Sequence, residues 1–246
     1  EDLELYNKIL EVFKKYDIEY FFYVGGNDSM DTCYKMDYFF KQVGYNCKVI
    51  GLPKTVDNDL VNTDHCPGYG SAAKIVSTMM AEIYHDTSVY RKGRVTIVEI
   101  MGRDTGWLTA SSAILHENGE VAPHLIYLPE RPFSVKQFLE DVRAALDKHY
   151  AVIIAVSEGI SLNPDEVGAD FQSDKIDNFG HQYLAGVGKA LEKIVADNFD
   201  CKVRSIELNV MQRCSSHLSS KRDITEAERI GGAAVGVALS GQSGVM

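Results

Sequence analysis

Residues 54–59, Lys-Thr-Val-Asp-Asn-Asp, place an amine and two carboxylates within six positions. They follow an apolar run at 47–52 that reads as a strand, and Pro53, lacking a backbone N–H, should end it. In an extended loop Asp57 and Asp59 sit two apart and project to the same side. Two like charges held close push one carboxyl pKa up, which is one way to make a general base. The same pair suits a metal ion, and Asn and Asp are also ordinary turn residues. The stretch alone admits all three readings.

Other groups with chemical potential fall at similar points of the chain. The run at 19–24 reads as a buried aromatic and β-branched strand leading into Gly25-Gly26-Asn27-Asp28-Ser29. A helix beginning near Ser29, with Met30, Cys33, Met36, Phe39, Phe40 and Val43 on its apolar side, runs to a stop at Gly44. With the strand at 47–52 this is a βαβ unit, which implies a parallel sheet. Such sheets bind ligands at the carboxyl ends of their strands. A glycine pair there lets backbone N–H groups approach a phosphate, helped by the positive end of the helix, although a tight turn needs the same residues. Met101-Gly102-Arg103 follows a strand at 94–100, and Glu158-Gly159 follows one at 151–157. Arg94, Arg204 and Arg213 lie on or beside strands; arginines at strand termini in an acidic chain fit recognition of a phosphorylated small molecule.

The elements that must carry these groups alternate. Helices are expected at 71–85, from 107 to about 115, at 134–149 with Phe138, Val142, Ala145 and Leu146 on one face, and at 181–198. Strands are expected at 124–128 and 203–210, and the unbroken apolar run 151–157 fits a strand covered on both faces. A polar stretch of about 20 residues after Glu158-Gly159 is longer than most loops. Asp223-Ile224-Thr225-Glu226 reads as a capping box opening a helix at 224–240, whose Gly231, Gly232, Ala233, Ala234 and Gly236 suit close packing. The chain opens inside a helical pattern, with Leu3, Tyr6, Ile9, Leu10 and Phe13 at helical spacing, and closes at 244–246 straight after another helix. It therefore reads as a piece of a longer protein, truncated at both ends.

Composition narrows the partners. Of 246 residues, 45% are hydrophobic, enough for a real core. Lys and Arg number 25 against 35 Asp and Glu, a net charge of −10, which offers no basic field for nucleic acid. Five cysteines without C-x-x-C spacing argue against a disulfide framework or a zinc site and fit a reducing, cytoplasmic home. The seven histidines show no metal-like spacing, and His181 and His217 read as surface or structural residues. No apolar run approaches membrane-spanning length and no signal peptide is visible, so no membrane partner is expected.

Gly-Gly-Asn-Asp-Ser, Pro-Lys-Thr-Val-Asp-Asn-Asp, Met-Gly-Arg-x-x-Gly-Trp, Ser-Glu-Gly and Gln-Arg, with Phe179-Gly180-His181 and the stretch 220–223, stand in the order and spacing of the phosphofructokinases. The chain resembles that family over nearly its whole length, and is most similar to its pyrophosphate-dependent branch. The resemblance implies an α/β fold of two Rossmann-like parallel-sheet domains with the active site in the cleft between them. The phosphoryl-donor domain would comprise 1–69 plus 211–246, lacking the family's first strand and Gly-rich loop, and the sugar-phosphate domain 70–210. By the same resemblance Asp57 is the base for the 1-hydroxyl of fructose 6-phosphate, flanked by Thr55 and Asp59. Met101, Gly102 and Arg103 are sugar-site residues, Glu158 a hydroxyl acceptor, and Arg213 grips the 6-phosphate. Arg94 and Arg204 match arginines that cross a subunit boundary, implying a homo-oligomer, dimer or tetramer.

The donor rests on two positions. ATP-dependent relatives carry Gly where Asp28 and Lys54 stand. A carboxylate at 28 repels an α-phosphate, and Lys54 offsets charge building on pyrophosphate. Gly25 and Gly26 would cradle phosphate, with Mg²⁺ bridging. Departures stand beside these matches: Asn27 replaces a magnesium-associated Asp, Val210 a polar residue that touches the sugar phosphate, and Asp104 a His or Asn. The expected activity is thus reversible phosphoryl transfer from pyrophosphate in glycolysis and gluconeogenesis. The alternatives are an ATP-dependent kinase and a non-catalytic regulatory subunit of the same fold.

Overall fold

The computed structural model describes residues 2–90, 92–117, 119, 121–162 and 186–246. It divides into two compact units, one formed by Glu1–Gly68 with Ser220–Met246 and the other by Tyr69–Ser219. The return to the first unit comes at Ser220 rather than at 211, because the 3-10 segments Asn209–Arg213 and Ser216–Leu218 pack on the helix Tyr69–Ser88.

In the first unit, strands β1 (Tyr20–Gly25) and β2 (Lys48–Pro53) pair in parallel, from Tyr20 opposite Lys48 to Gly25 opposite Pro53. The connecting helix Asn27–Gln42 buries Cys33, Met36 and Phe40, one stripe at helical spacing, against Val49 and against Leu10 and Phe13 of the helix Asp2–Lys15. Ile50 faces the opposite way and meets Ala234 and Ala238 of the helix Lys221–Leu239. Of these two strands, β2 is the one that packs on helices on both faces among the described residues. The expectation of a buried β1 fails: Tyr20, Phe22, Tyr23 and Val24 are exposed, since β1 has a strand neighbour on one side alone among the described residues. The small-residue reading of 231–236 fails too. A Cβ built at Gly231, Gly232 or Gly236 meets nothing within 4 Å, and the buried stripe is Ala234 and Ala238, one turn apart.

The last residues of the chain extend this sheet. Val245 forms a parallel bridge with Ile50, and the Gly51 N–H donates to the Val245 carbonyl at 2.9 Å. The Gly244 N–H donates to the Val49 carbonyl at 2.9 Å, and the Val49 N–H donates to Ser243 Oγ at 2.9 Å. Ser243 Oγ in turn donates to the buried carboxylate of Asp37, which also holds Lys41. Gly244 lies at φ 72° with Asp37 where a Cβ would project, so glycine is required there on both counts.

The second unit is a four-stranded parallel sheet in the order β4-β5-β3-β6, with β3 Arg94–Ile100, β4 Leu125–Tyr127, β5 Ala151–Ser157 and β6 Lys202–Glu207. β5 is buried at every position, as its apolar run demands. The helices Val135–Leu146 and Val187–Asn198 lay Phe138, Val142, Leu191 and Val195 on Val95, Ile97, Val152 and Ile154. Ser134 caps the first of these, its Oγ accepting from the Gln137 N–H. The helix expected from 107 to 115 is instead three short pieces, Trp107–Ala110, the 3-10 turn Ser111–Ala113, and Ile114–Glu117. Ser111 and Ser112 donate their hydroxyls to the Leu108 and Thr109 carbonyls at 2.6 and 2.7 Å and so compete with the backbone for them. The motif at 179–181 and the start of the helix expected at 181 lie outside the described residues.

Two consequences can be measured. Ser243→Ala leaves the Val49 N–H and the buried Asp37 carboxylate each short of a partner, so the urea midpoint should fall by the equivalent of about 1–3 kcal/mol with unchanged slope. His124 next to β4 accepts the Ile153 N–H on Nδ1 at 3.0 Å, and its ring lies 4.5 Å from that of His149. Burial, with repulsion from His149, lowers its pKa from 6.5 to about 4. Between those values the unfolded chain binds the extra proton, so stability is full above about pH 6.5 and falls as pH drops toward 4. His124→Gln should flatten that part of a stability-versus-pH curve.

Candidate active site

In the first unit the two strand ends that carry the polar motifs are neighbours in the sheet. Gly25 and Pro53 are paired, and the Lys54 N–H donates back to the Gly25 carbonyl at 3.0 Å. A side chain at Gly25 would collide with that of Ser29, so the turn into the helix is closed tightly. The helix begins at Asn27, earlier than the expected Ser29, with Gly26 as its N-cap and no side chain capping it. Its first turn therefore presents backbone N–H groups together with Asn27 and Asp28, both exposed.

The 54–68 loop is not extended as expected. Thr55, buried, forms a bridge with Gly68; a turn follows at Val56 and Asp57; and Asn58 takes the left-handed conformation at φ 54°. Simple alternation of Asp57 and Asp59 is thereby lost. The Asp57 N–H donates to Thr55 Oγ1 at 3.1 Å, and Asn58 Oδ1 accepts the Cys66 N–H at 2.7 Å, closing the loop on itself. Asp59 reaches the other motif: Asn27 Nδ2 donates to Asp59 Oδ2 at 2.8 Å. Asn27, Asp28 and Lys54 are exposed, whereas Asp57 and Asp59 are half-buried. The first unit thus sets three carboxylates, an amide, an amine and a helix N-terminus around two adjacent strand ends.

In the second unit Ile100 and Ser157 are paired at the carboxyl ends of β3 and β5, and the residues after them are tied together. The Glu158 N–H donates to the Ile100 carbonyl at 2.9 Å, and the Gly102 N–H donates to Glu158 Oε1 at 3.2 Å. The Gly102 carbonyl accepts from Ser157 Oγ at 2.6 Å and from the Gly159 N–H at 3.1 Å. Gly102, at φ 136°, faces the Thr105 carbonyl where a Cβ would stand, and Gly159 faces the Arg103 carbonyl. The Met101 N–H donates to Oε1 of the buried Gln212 at 3.0 Å, which brings the 3-10 segment ending in Arg213 beside the same strand end. Met101, Gly102, Arg103 and Glu158 therefore form one group, with Arg103 and Arg213 exposed at it.

The remaining arginines are placed elsewhere. Arg94 opens β3, about 20 Å of strand away from its carboxyl end, with its guanidinium 3.6 Å from the centre of the Tyr90 ring. Arg204 sits opposite Thr96 in β6 and lines a cavity of about 340 Å³ with Glu82, Asp86 and Ile206. Neither joins the Met101 group in this chain; of the three arginines, Arg213 is the one brought beside it, at the end of the 3-10 segment that carries Gln212.

Sequence reading missed Glu99. The helix Val187–Asn198 has Gly186 as N-cap and no capping side chain of its own, and Glu99 Oε2 accepts the Gly188 N–H at 2.6 Å in its stead. Burial raises the Glu99 pKa against the Gly188 hydrogen bond, with Glu207 and Glu158 adding to the rise. The available signal was an acid inside the apolar run Val-Thr-Ile-Val-Glu-Ile of a parallel strand, where a charge must find a partner.

Comparison with known proteins places this geometry. The sequence profile of the family described as Phosphofructokinase matches residues 1–238. The chain is 38% identical over 248 aligned residues to a pyrophosphate–fructose 6-phosphate 1-phosphotransferase of Xanthomonas campestris pv. campestris (strain B100), covering 100% of this chain and 59% of that protein. It is 35% identical to a sulfofructose kinase of Alkalicoccus urumqiensis, covering 93% of this chain and 58% of that protein. Among solved structures, the pyrophosphate-dependent phosphofructokinase of Marinobacter aquaeolei superposes with a TM-score of 0.81 at 36% identity, over 97% of this chain and 56% of that one. The chain thus spans about three fifths of the length of the curated relatives it matches. With the match to the profile running from its first residue to residue 238, the chain belongs to the phosphofructokinase family.

Proposed function

We propose that the protein carrying this chain transfers a phosphoryl group from pyrophosphate to the 1-hydroxyl of fructose 6-phosphate, reversibly, giving fructose 1,6-bisphosphate and phosphate. The observation that carries the reading is the Asn27–Asp59 hydrogen bond of 2.8 Å, which joins the Gly-Gly turn to the aspartate loop at adjacent strand ends. The likeness to proteins named for this reaction supports it.

In this reading the first unit handles the phosphoryl donor and the second the sugar phosphate. Asp57 takes the proton of the 1-hydroxyl as that oxygen bonds to phosphorus, and the bridging P–O bond of pyrophosphate breaks to release phosphate. Lys54 and the N–H groups of Gly25, Gly26 and the helix start stabilise charge on the transferring and leaving groups. Thr55 positions Asp57 through the 3.1 Å bond that its Oγ1 accepts. Met101, Gly102, Arg103 and Glu158 hold the sugar, and Arg213 its 6-phosphate. Arg94 and Arg204, set away from that group, serve a neighbouring subunit, so the working protein is a dimer or tetramer. Asp28 stands against an α-phosphate and so against ATP.

The donor set suits Mg²⁺: the Asp59 carboxylate and the amide oxygen of Asn27, joined by the 2.8 Å bond, are hard oxygen ligands at one place. When bound, the ion neutralises phosphate charge. No described helix is long and apolar enough to cross a membrane. A cytoplasmic site of action fits the five free cysteines.

A coupled assay of pyrophosphate against ATP tests the donor: turnover is expected with pyrophosphate and Mg²⁺, and faster turnover with ATP would overturn the reading. In the double variant Asp28→Gly, Lys54→Gly, pyrophosphate use should collapse and ATP use appear. Asp57→Asn should lower kcat about 10²–10⁴-fold with substrate affinity little changed.

A further inference from the structure

Toward the far end of the 54–68 loop, three side chains converge in the first unit. His65 lies on the 54–68 loop, and Asp223 and Glu226 lie three apart on the first turns of the helix Lys221–Leu239, hence on one face. His65 Nε2 is 3.3 Å from Asp223 Oδ1 and 2.7 Å from Glu226 Oε2. One ligand atom from each residue lies within 4.8 Å of the others. Asp223 is buried, 6% exposed, while His65 and Glu226 are half-buried. Arg222 Nε donates to the other oxygen of Glu226 at 2.8 Å.

We propose that His65, Asp223 and Glu226 form a divalent transition-metal site that clips the aspartate loop to the helix Lys221–Leu239. An imidazole nitrogen with two carboxylates suits Zn²⁺, Co²⁺ or Mn²⁺ better than Mg²⁺, which favours all-oxygen shells. Ligand bonds of about 2.0–2.2 Å in a tetrahedral site set donor atoms roughly 3.3–3.6 Å apart. The His65–Asp223 separation already has that value, and the His65–Glu226 separation need open by only about 0.6 Å to reach it. A fourth position is left for water. The charges agree: two carboxylates balance the ion, and Arg222 orients the outer oxygen of Glu226 as an outer-shell partner does. Burial of the Asp223 carboxylate makes a positive neighbour necessary, which a bound cation supplies.

The site's effect follows from its position. Beside His65, the Cys66 N–H donates to Asn58 at 2.7 Å, between Asp57 and Asp59. An ion at His65 therefore fixes the far end of the loop whose near end carries both aspartates. This inference does not depend on the identity of the phosphoryl donor.

The chain, stripped with a chelator, is titrated with Co²⁺ and followed by calorimetry and visible absorption. Expected are a single equivalent bound with nitrogen–oxygen ligand-field bands, a rise in Tm, and weakening in His65→Gln and Glu226→Gln. The weakening should be at least the roughly 10–100-fold usual for loss of an outer-shell partner. Absence of binding, equal affinity in both variants, or thiolate-to-cobalt charge transfer pointing to the cysteines would each overturn the site. Should His65→Gln fail to fold, Glu226→Gln, a change at a half-buried position that keeps side-chain size, carries the same comparison.

Discussion

Parallel pairing in register is the constraint on which the rest of the structure depends. When strands run the same way, their carboxyl ends finish side by side, and whatever follows each strand is delivered to the same edge of the sheet. Gly25 opposite Pro53 and Ile100 opposite Ser157 are two instances of this geometry. Residues far apart in sequence, Asn27 with Asp59 and Gly102 with Glu158, meet because the strands before them end together. No long-range attraction between these polar side chains is needed to bring them close; the apolar strands and their covering helices do that, and the polar contacts fix the last ångström.

That last ångström is made largely of backbone. Around Gly102 and Gly159 the main chains of two loops approach so closely that neither position has room for a Cβ, and four donors and acceptors are satisfied within the knot. Buried Gln212 and partly buried Glu99 extend it, each answering a backbone N–H that would otherwise lack a partner. A loop held this way has little freedom to lose when a ligand arrives, which is the physical content of preorganisation. The Asn27–Asp59 pair differs: its side chains are exposed or half-buried, and one side-chain hydrogen bond joins them beside the backbone bond from Lys54 to Gly25.

Much of this was legible in the sequence. Apolar runs ending in Gly, Pro or an acid located the strands and the edge of each sheet where the polar motifs gather, and 151–157 was recognisable as a central strand from its lack of alternation. The failures share a cause: they concern what lies beside an element rather than within it. β1 has the composition of a buried strand, but composition does not say how many neighbours a strand has. The glycines at 231, 232 and 236 have the look of a packing stripe and face nothing within reach. The capping-box pattern at Asp223 marked a helix start correctly to within a turn, yet that aspartate turns to His65. Histidine spacing could not reveal that meeting, because partners separated by most of the chain leave no local pattern. Likewise the hydroxyls that break 107–117 into three are ordinary helix-tolerated residues until their bonds to the carbonyls are seen.

The tail that borders β2 sets a timetable for synthesis. Ser243 follows its partner Val49 by 194 positions, and the whole of Tyr69–Ser219 is translated in between. At about 5–20 residues per second, the free edge of β2 waits roughly 10–40 s on the ribosome for its neighbour. During that interval one edge of an apolar strand, already paired with β1 on its other side, stands open to whatever is nearby, the condition under which nascent chains aggregate or recruit chaperones. The second unit is continuous in the chain, and its last strand, β6, is made before Ser243 emerges, so of the two units of this chain the second should be the first to close its sheet.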